Sequence, residues 1–194
     1  MKKILFMLLF CLCTGVIAQE TAQQSNEPKM NSEKVLEYKE VFQVEGMSAE
    51  QIFINLHQML SEWSYDKNSK NSIDFEDKES GVIMCKLDAH LGFQKANMLY
   101  GWDLYALCNI SIKIKDGRYQ VTVKVPSVRY KWSAGGIADD TAIDELYPTY
   151  TAKKKNLVKH KKVSESLVPT IPDVMKSVCQ SIAKKVKSSE EDDF

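Results

Sequence analysis

The sequence predicts an α+β domain in which a five-stranded antiparallel sheet carries two helices on one face, in the order β-α-β-β-β-β-α. Three observations carry this. Ile52 to Trp63 and Ile171 to Val186 space their apolar residues as the buried stripes of amphipathic helices. Five other segments alternate apolar and polar residues with the period of a half-buried strand. The turn sequences Asp77–Gly81 and Asp116-Gly117 join four of those segments into two hairpins.

In chain order, the first strand begins at Tyr38. Tyr38, Glu40, Phe42 and Val44 fall on one side, Lys39, Val41, Gln43 and Glu45 on the other, and Gly46 ends the run. Ser48 is a good helix N-cap, and Gln51, three residues on, completes a capping box. Met47 and Ile52 stand at the two ends of a hydrophobic staple. Ile52, Phe53, Leu56, Met59, Leu60 and Trp63 then form an inward face. In the first hairpin, a three-residue loop with Gly81 left-handed and a G1 bulge pairs Lys78 with Val82, Phe75 with Cys85 and Ile73 with Leu87. Leu91 to Trp102 reads as a connection. In the second hairpin, a type I′ turn at Asp116-Gly117 sets Ile114 opposite Tyr119, Ile112 opposite Val121, Ile110 opposite Val123 and Cys108 opposite Val125. Every one of these pairs is apolar on the same face. The closing helix takes Thr170 as N-cap and Pro172 and Asp173 in its first turn. Ile171, Val174, Met175, Val178, Ile182 and Val186 are its stripe, and Lys184, Lys185 and Lys187 suit the negative end of its dipole.

The segments around this domain carry their own signals. Lys2 and Lys3 precede an almost unbroken apolar run, Ile4–Ala18, that ends in Val16-Ile17-Ala18, so residues 1–18 read as a secretory signal cleaved before Gln19. The run is shorter than the roughly 20 residues needed to span a bilayer. After cleavage the chain is therefore expected not to be an integral membrane protein, and to work outside the cytoplasm, most simply in the periplasm. Residues 19–37 are polar and non-periodic, as in a flexible leader. Residues 38–187 are expected as a single domain interrupted by a long loop, 126–168. That loop holds Gly135-Gly136, the acids Asp139, Asp140, Asp144 and Glu145, and a lysine run from Lys153 to Lys162. Residues 188–194 form an acidic tail.

Composition narrows the function classes. Removing Lys2 and Lys3 from the 26 basic residues leaves 24 against 26 acidic ones. So neutral a chain has no electrostatic footprint for nucleic acid. Cys85, Cys108 and Cys179 survive cleavage, all on core-facing positions and without the short paired spacing of a zinc or redox motif. They read as buried free thiols.

The stretch Phe42-x-Val44-x-Gly46-x-Ser48, together with Trp63, Asp77–Gly81 and Asp116-Gly117-Arg118-Tyr119, resembles an exported bacterial family. That family is a domain of unknown function with a TATA-binding-protein-like (TBP-like) fold. The resemblance spans about Tyr38 to Lys187 and implies the same order of elements. It carries no assigned functional residues, and a fold name alone does not imply DNA binding.

Candidate chemistry is sparse. Cys85 and His90 lie an odd number of residues apart on one strand and so face opposite ways. Asp88 and His90 share a face with Lys86, as half of a metal or acid–base site would, or as an ordinary solvated face. The acids at 139–145 lack the glycine and spacing of a calcium loop. No catalytic residue, metal site or cofactor is expected. The candidate ligand-binding residues are Trp102, Tyr105, Tyr130 and Trp132, because aromatics with a polar edge are enriched where proteins meet sugars or other proteins. The same side chains would also serve to cover the sheet edge or to pack beneath the long loop. The function expected is a non-enzymatic envelope binding module for a protein, glycan or lipid. A structural component of an envelope assembly is the alternative, and an enzyme the least favoured.

Overall fold

A computed structural model describes residues 27–64, 72–95, 98–135, 139–146 and 165–188. The expected signal, the leader before Glu27, the lysine run, Tyr147, Tyr150 and the tail beyond Ser188 lie outside the described residues. The elements in chain order are β1 (Lys29–Met30), β2 (Leu36–Gln43), α1 (Ala49–Ser64), β3 (Ser72–Asp77), β4 (Val82–Lys95), β5 (Gly101–Lys115), β6 (Arg118–Trp132), β7 (Asp139–Ala142) and α2 (Ile171–Ser188). Single 3-10 turns at Ile143–Glu145 and Val168–Thr170 complete them.

The strands form one seven-stranded antiparallel sheet in the order β1-β2-β6-β5-β4-β3, with β7 on β6 beyond the end of β2. The α+β layering with two helices on one face is as the sequence predicts, but two strands are additional. β1 lies in the stretch expected as a flexible leader. There the Asn31 side-chain oxygen accepts the N–H groups of Glu33 and Val35, closing the turn that folds β1 onto β2. Leu36 is fully buried, and the Glu27 carboxylate accepts from Lys176 of α2 at 2.9 Å. So short a strand leaves no periodicity to read.

The expected loop 126–168 is also partly regular: Pro126 to Trp132 continue β6, and β7 follows within it. The connection expected at 91–102 is likewise the paired end of a long hairpin, since β4 runs to Lys95 and β5 starts at Gly101. Two bulges explain both misses. The β5–β6 pairing shifts between Leu107 and Asn109, so that Cys108 faces Val125 and Pro126 together and not Val125 alone. Proline cannot donate to a ladder and belongs at such a bulge. In β4 the register shifts between His90 and Gly92, leaving Leu91 as the extra residue.

The hairpins differ in detail from the expected geometry. Ile114↔Tyr119, Ile112↔Val121 and Ile110↔Val123 pair as predicted. The turn between them is not of type I′, because Lys34 is the sole non-glycine with positive φ among the described residues. Asp116 instead turns its carboxylate to α1, where Ala49 N–H donates to Oδ1 at 2.8 Å. In the first hairpin Asp77 pairs with Val82, Phe75 with Met84 and Ile73 with Cys85, around a four-residue loop and a bulge. Phe75 is consequently half exposed on the uncovered face.

α1 starts as its capping box dictates: Ser48 N–H donates to Gln51 Oε1, and Gln51 N–H donates to Ser48 Oγ. Thr170 does not cap α2 with its oxygen; its hydroxyl donates back to the Leu167 carbonyl. Ile52, Leu56 and Leu60 of α1, with Ile171, Met175, Cys179 and Ile182 of α2, close over Leu104, Ala106, Ile110, Ile112, Val121 and Val123. Each fully buried aliphatic side chain contributes roughly 1.5–3 kcal/mol, so the packing of the two helices on this sheet face is strongly favoured.

Candidate binding surface

Among the described residues no element covers the other face, which makes it the candidate surface for recognition. Along β5 it carries Asp103, Tyr105, Leu107, Asn109, Ser111, Lys113 and Lys115, the residues between the buried ones. Registration with the neighbouring strands lines up a row across four of them: His90 on β4, Tyr105 on β5, Arg129 on β6 and Asp140 on β7.

Arg129 is the hub of this row. Its Nε and Nη2 donate to the two oxygens of Asp140 at 2.8 and 2.9 Å, a bidentate pair, and its Nη1 donates to Asp88 Oδ2 at 2.9 Å. Asp140 before all, then Asp88, raises the proton affinity of the guanidinium further. His90 Nε2 lies 3.0 Å from Asp103 Oδ1, and its ring tilts against Tyr105 with centroids 5.0 Å apart. Partial burial, and then the charges of Asp103 and Asp88, push the Tyr105 hydroxyl above its ordinary pKa. Asp88 and His90 do share this face, as the alternation predicts, but each has its own partner, which fits the reading of an ordinary solvated face over a half-site.

Beside Arg129, where the β6 bulge opens the surface, lies a depression of about 340 Å³ lined by Lys86, Asp88, Leu107, Asn109, Pro126 and Ser127. A second, of about 270 Å³, lies near the β5–β6 turn between Val41, Lys113, Lys115, Arg118 and Gln120. The first offers hydrogen-bonding groups and charges of both signs, the second hydrogen-bonding groups and only positive charges, each beside apolar side chains.

The four predicted aromatic residues do not form one site. Trp102 and Trp132 are cross-strand partners on the helix side, with ring centroids 4.7 Å apart and Tyr100 5.9 Å from Trp132. Tyr130 shares that side but is only 1% exposed, a core residue beside Leu104. Tyr105 is on the opposite face. Sequence reasoning missed Arg129, whose one signal is Pro126, a residue that belongs at a bulge and there reverses the alternation of β6. It also missed the apolar run Met98-Leu99-Tyr100, which signals an exposed hairpin end.

Groups with catalytic potential are held in unreactive settings. Cys85, Cys108 and Cys179 are free and buried. Burial pushes the Cys85 and Cys108 thiols up to about 12, and raises that of Cys179 as well. His57 lies 2.8 Å from Glu76 on the surface. Among the described residues no group of three His, Cys, Asp or Glu side chains is close enough to hold a metal ion, and no helix is long and apolar enough to cross a membrane.

Residues 38–129 match the family model of a domain of unknown function (DUF4468) with TBP-like fold. The resemblance drawn from the capping and turn residues is thereby borne out. Two crystal structures are similar over most of the chain. One is a TBP-like protein from Parabacteroides distasonis ATCC 8503, at TM-score 0.59 and 13% identity, covering 82% of this chain and 97% of that one. The other is a DUF4468 family protein from Bacteroides ovatus ATCC 8483, at TM-score 0.56 and 17% identity, covering 82% and 91%. At such identities the likeness establishes the fold alone. No curated protein matches the chain.

Proposed function

We propose that this chain is an exported, non-enzymatic binding module of the cell envelope that receives its ligand on the uncovered face of the sheet. The observation that carries the reading is the contrast between the two faces. One is sealed by α1 and α2, while the other carries an ordered polar row around Arg129 beside a depression of about 340 Å³. An ion-paired scaffold next to an open, mixed-charge hollow favours a ligand with many hydrogen-bonding groups, a glycan or an extended peptide. Among the described residues the thiols are buried with raised pKa and the histidines are paired with carboxylates, which supports a binding role over catalysis. Residues 1–18 support export.

The test is native mass spectrometry of the protein isolated gently from its own cell envelope. A mass lacking residues 1–18 and carrying an adduct is expected, with the adduct lost in the double variant Lys86→Ala, Asn109→Ala. A bare mass in the parent overturns the ligand, and a mass retaining residues 1–18 overturns export.

A further inference from the structure

The uncovered face does not account for the far end of the β4–β5 hairpin. Half of the large apolar side chains exposed among the described residues fall between Phe93 and Tyr100: Phe93 is 50% exposed, Met98 89%, Leu99 81% and Tyr100 41%. Exposed apolar groups so concentrated mark an interaction site. Their arrangement is two-sided. Phe93 is the register partner of Asp103 and so stands on the uncovered face, whereas Trp102 and Trp132 stand on the helix side, with Tyr100 against Trp132. Met98 and Leu99 lie beyond both.

The end is also built to hold this shape. Phe93 lies across Gly101, so close that a Cβ there would come 2.3 Å from its ring and 2.5 Å from the Gln94 carbonyl oxygen. Gly101 N–H donates to Ser133 Oγ at 2.9 Å and its carbonyl accepts from Ser133 N–H at 3.0 Å, fastening the hairpin to the end of β6. Two exposed cations flank the apolar residues: Lys95, opposite Gly101, stands between the Met98–Tyr100 tip and the tryptophan pair, and Lys131, opposite Asp103, is level with Phe93; neither is ion-paired among the described residues. The nearby carboxylate of Asp103 is held by His90.

We infer that this hairpin end docks the protein on an anionic lipid surface. A wedge with Phe93 between two lysines on one face and Tyr100, Trp102 and Trp132 on the other, tipped by Met98 and Leu99, is buried completely by a medium that surrounds it. Indole and phenol rings behind an aliphatic tip match the headgroup–acyl boundary. Lys95 and Lys131 lie at the level of anionic headgroups, so charge complementarity sets the preference among lipids. Of the uncovered face only the hairpin end around Phe93 meets the membrane, and the two depressions, lined by other residues, stay clear of it. The inference rests on the export reading only for bringing the chain to an envelope membrane.

In a Trp63→Phe background the two remaining tryptophans, Trp102 and Trp132, give a readout local to the tip, whatever residues 1–18 contribute. The protein recovered from cells carrying the full gene is mixed with vesicles of phosphatidylcholine and phosphatidylglycerol in which bromine-labelled acyl chains quench tryptophan. Blue-shifted, quenched emission is expected, weaker on phosphatidylcholine alone. The variant Met98→Asp, Leu99→Asp, changed only at highly exposed positions, is expected to keep its thermal transition and lose vesicle affinity by about tenfold or more. Lys95→Gln, Lys131→Gln is expected to erase the preference for phosphatidylglycerol. Absence of quenching in the parent, or quenching unchanged in the aspartate variant, overturns the assignment. So does a parent dimer that the aspartate variant dissolves, which gives the tip to a second copy. Retention of residues 1–18 in the recovered mass overturns export and leaves the tryptophan test as it is.

Discussion

Gly46 and Gly81 allow backbone conformation and steric contact to be separated. Both hold left-handed conformations, at φ +84° and +64°. A Cβ on Gly46 would meet nothing within 4 Å, whereas one on Gly81 would sit 2.7 Å from the Ile114 carbonyl oxygen. That oxygen belongs to a central strand and cannot swing aside as a side chain would. Gly46→Ala therefore carries only the left-handed penalty, about 1–2 kcal/mol. Gly81→Ala adds an overpacking cost of about 1–3 kcal/mol, for a total of roughly 2–5 kcal/mol. Any relaxation must also strain the bond in which Ile114 N–H donates to the Gly81 carbonyl at 2.8 Å, which fastens the β3–β4 turn to β5. Urea unfolding of both variants and the parent, compared at equal slope, measures the difference. Equal losses, or a larger loss at Gly46, would refute the contact with Ile114 as the reason Gly81 is glycine.

Three further outcomes follow from single groups. The Tyr119 hydroxyl is buried without a hydrogen-bond partner among the described residues, while its ring stacks on Phe42 at 5.3 Å. Tyr119→Phe should therefore leave stability unchanged or raise it by about 1 kcal/mol in thermal unfolding, and a loss of that size contradicts the assignment. Cys85, Cys108 and Cys179 should resist a disulfide exchange reagent in the folded protein at about pH 8 and react in urea, because burial disfavours their thiolates. Fast native reaction of any one would remove it from the core. Glu37 is held below its usual value of 4.5, first by the hydrogen bond from Lys39. A folded pKa below the unfolded one gives stability that is present above the unfolded value and lost as pH falls through the folded value. Glu37→Gln should accordingly shrink the stability difference between neutral pH and the acid range, as read by unfolding at each pH.

The helices and the central hairpin are legible in the sequence because each rests on signals that agree. Ser48 and Gln51 cap a segment whose apolar period is helical, and Asp116-Gly117 joins two runs whose alternation matches across the turn. What is not legible depends on one-residue irregularities or on long-range contacts. β1 exists because Asn31 organises a local turn and because Leu36 finds Val125 on a strand far along the chain. The turn at Asp116 departs from type I′ because its carboxylate is recruited by the N-terminus of α1, a contact no local pattern contains.

The candidate site divides along the same line. Trp102 and Tyr105 differ by an odd number of residues on one strand, so alternation alone sends them to opposite faces, as observed. Tyr130 and Trp132 are harder. On β6 the inward residues are Tyr119, Val121, Val123 and Val125, and uninterrupted alternation would send Tyr130 and Trp132 outward with Lys124. The bulge at Pro126 inserts one residue and reverses the parity. Val128, Tyr130 and Trp132 therefore face inward, and Arg129 turns out towards Asp88 and Asp140. One proline thus takes Tyr130 into the core, pairs Trp132 with Trp102 at the hairpin end, and gives the uncovered face its cationic hub.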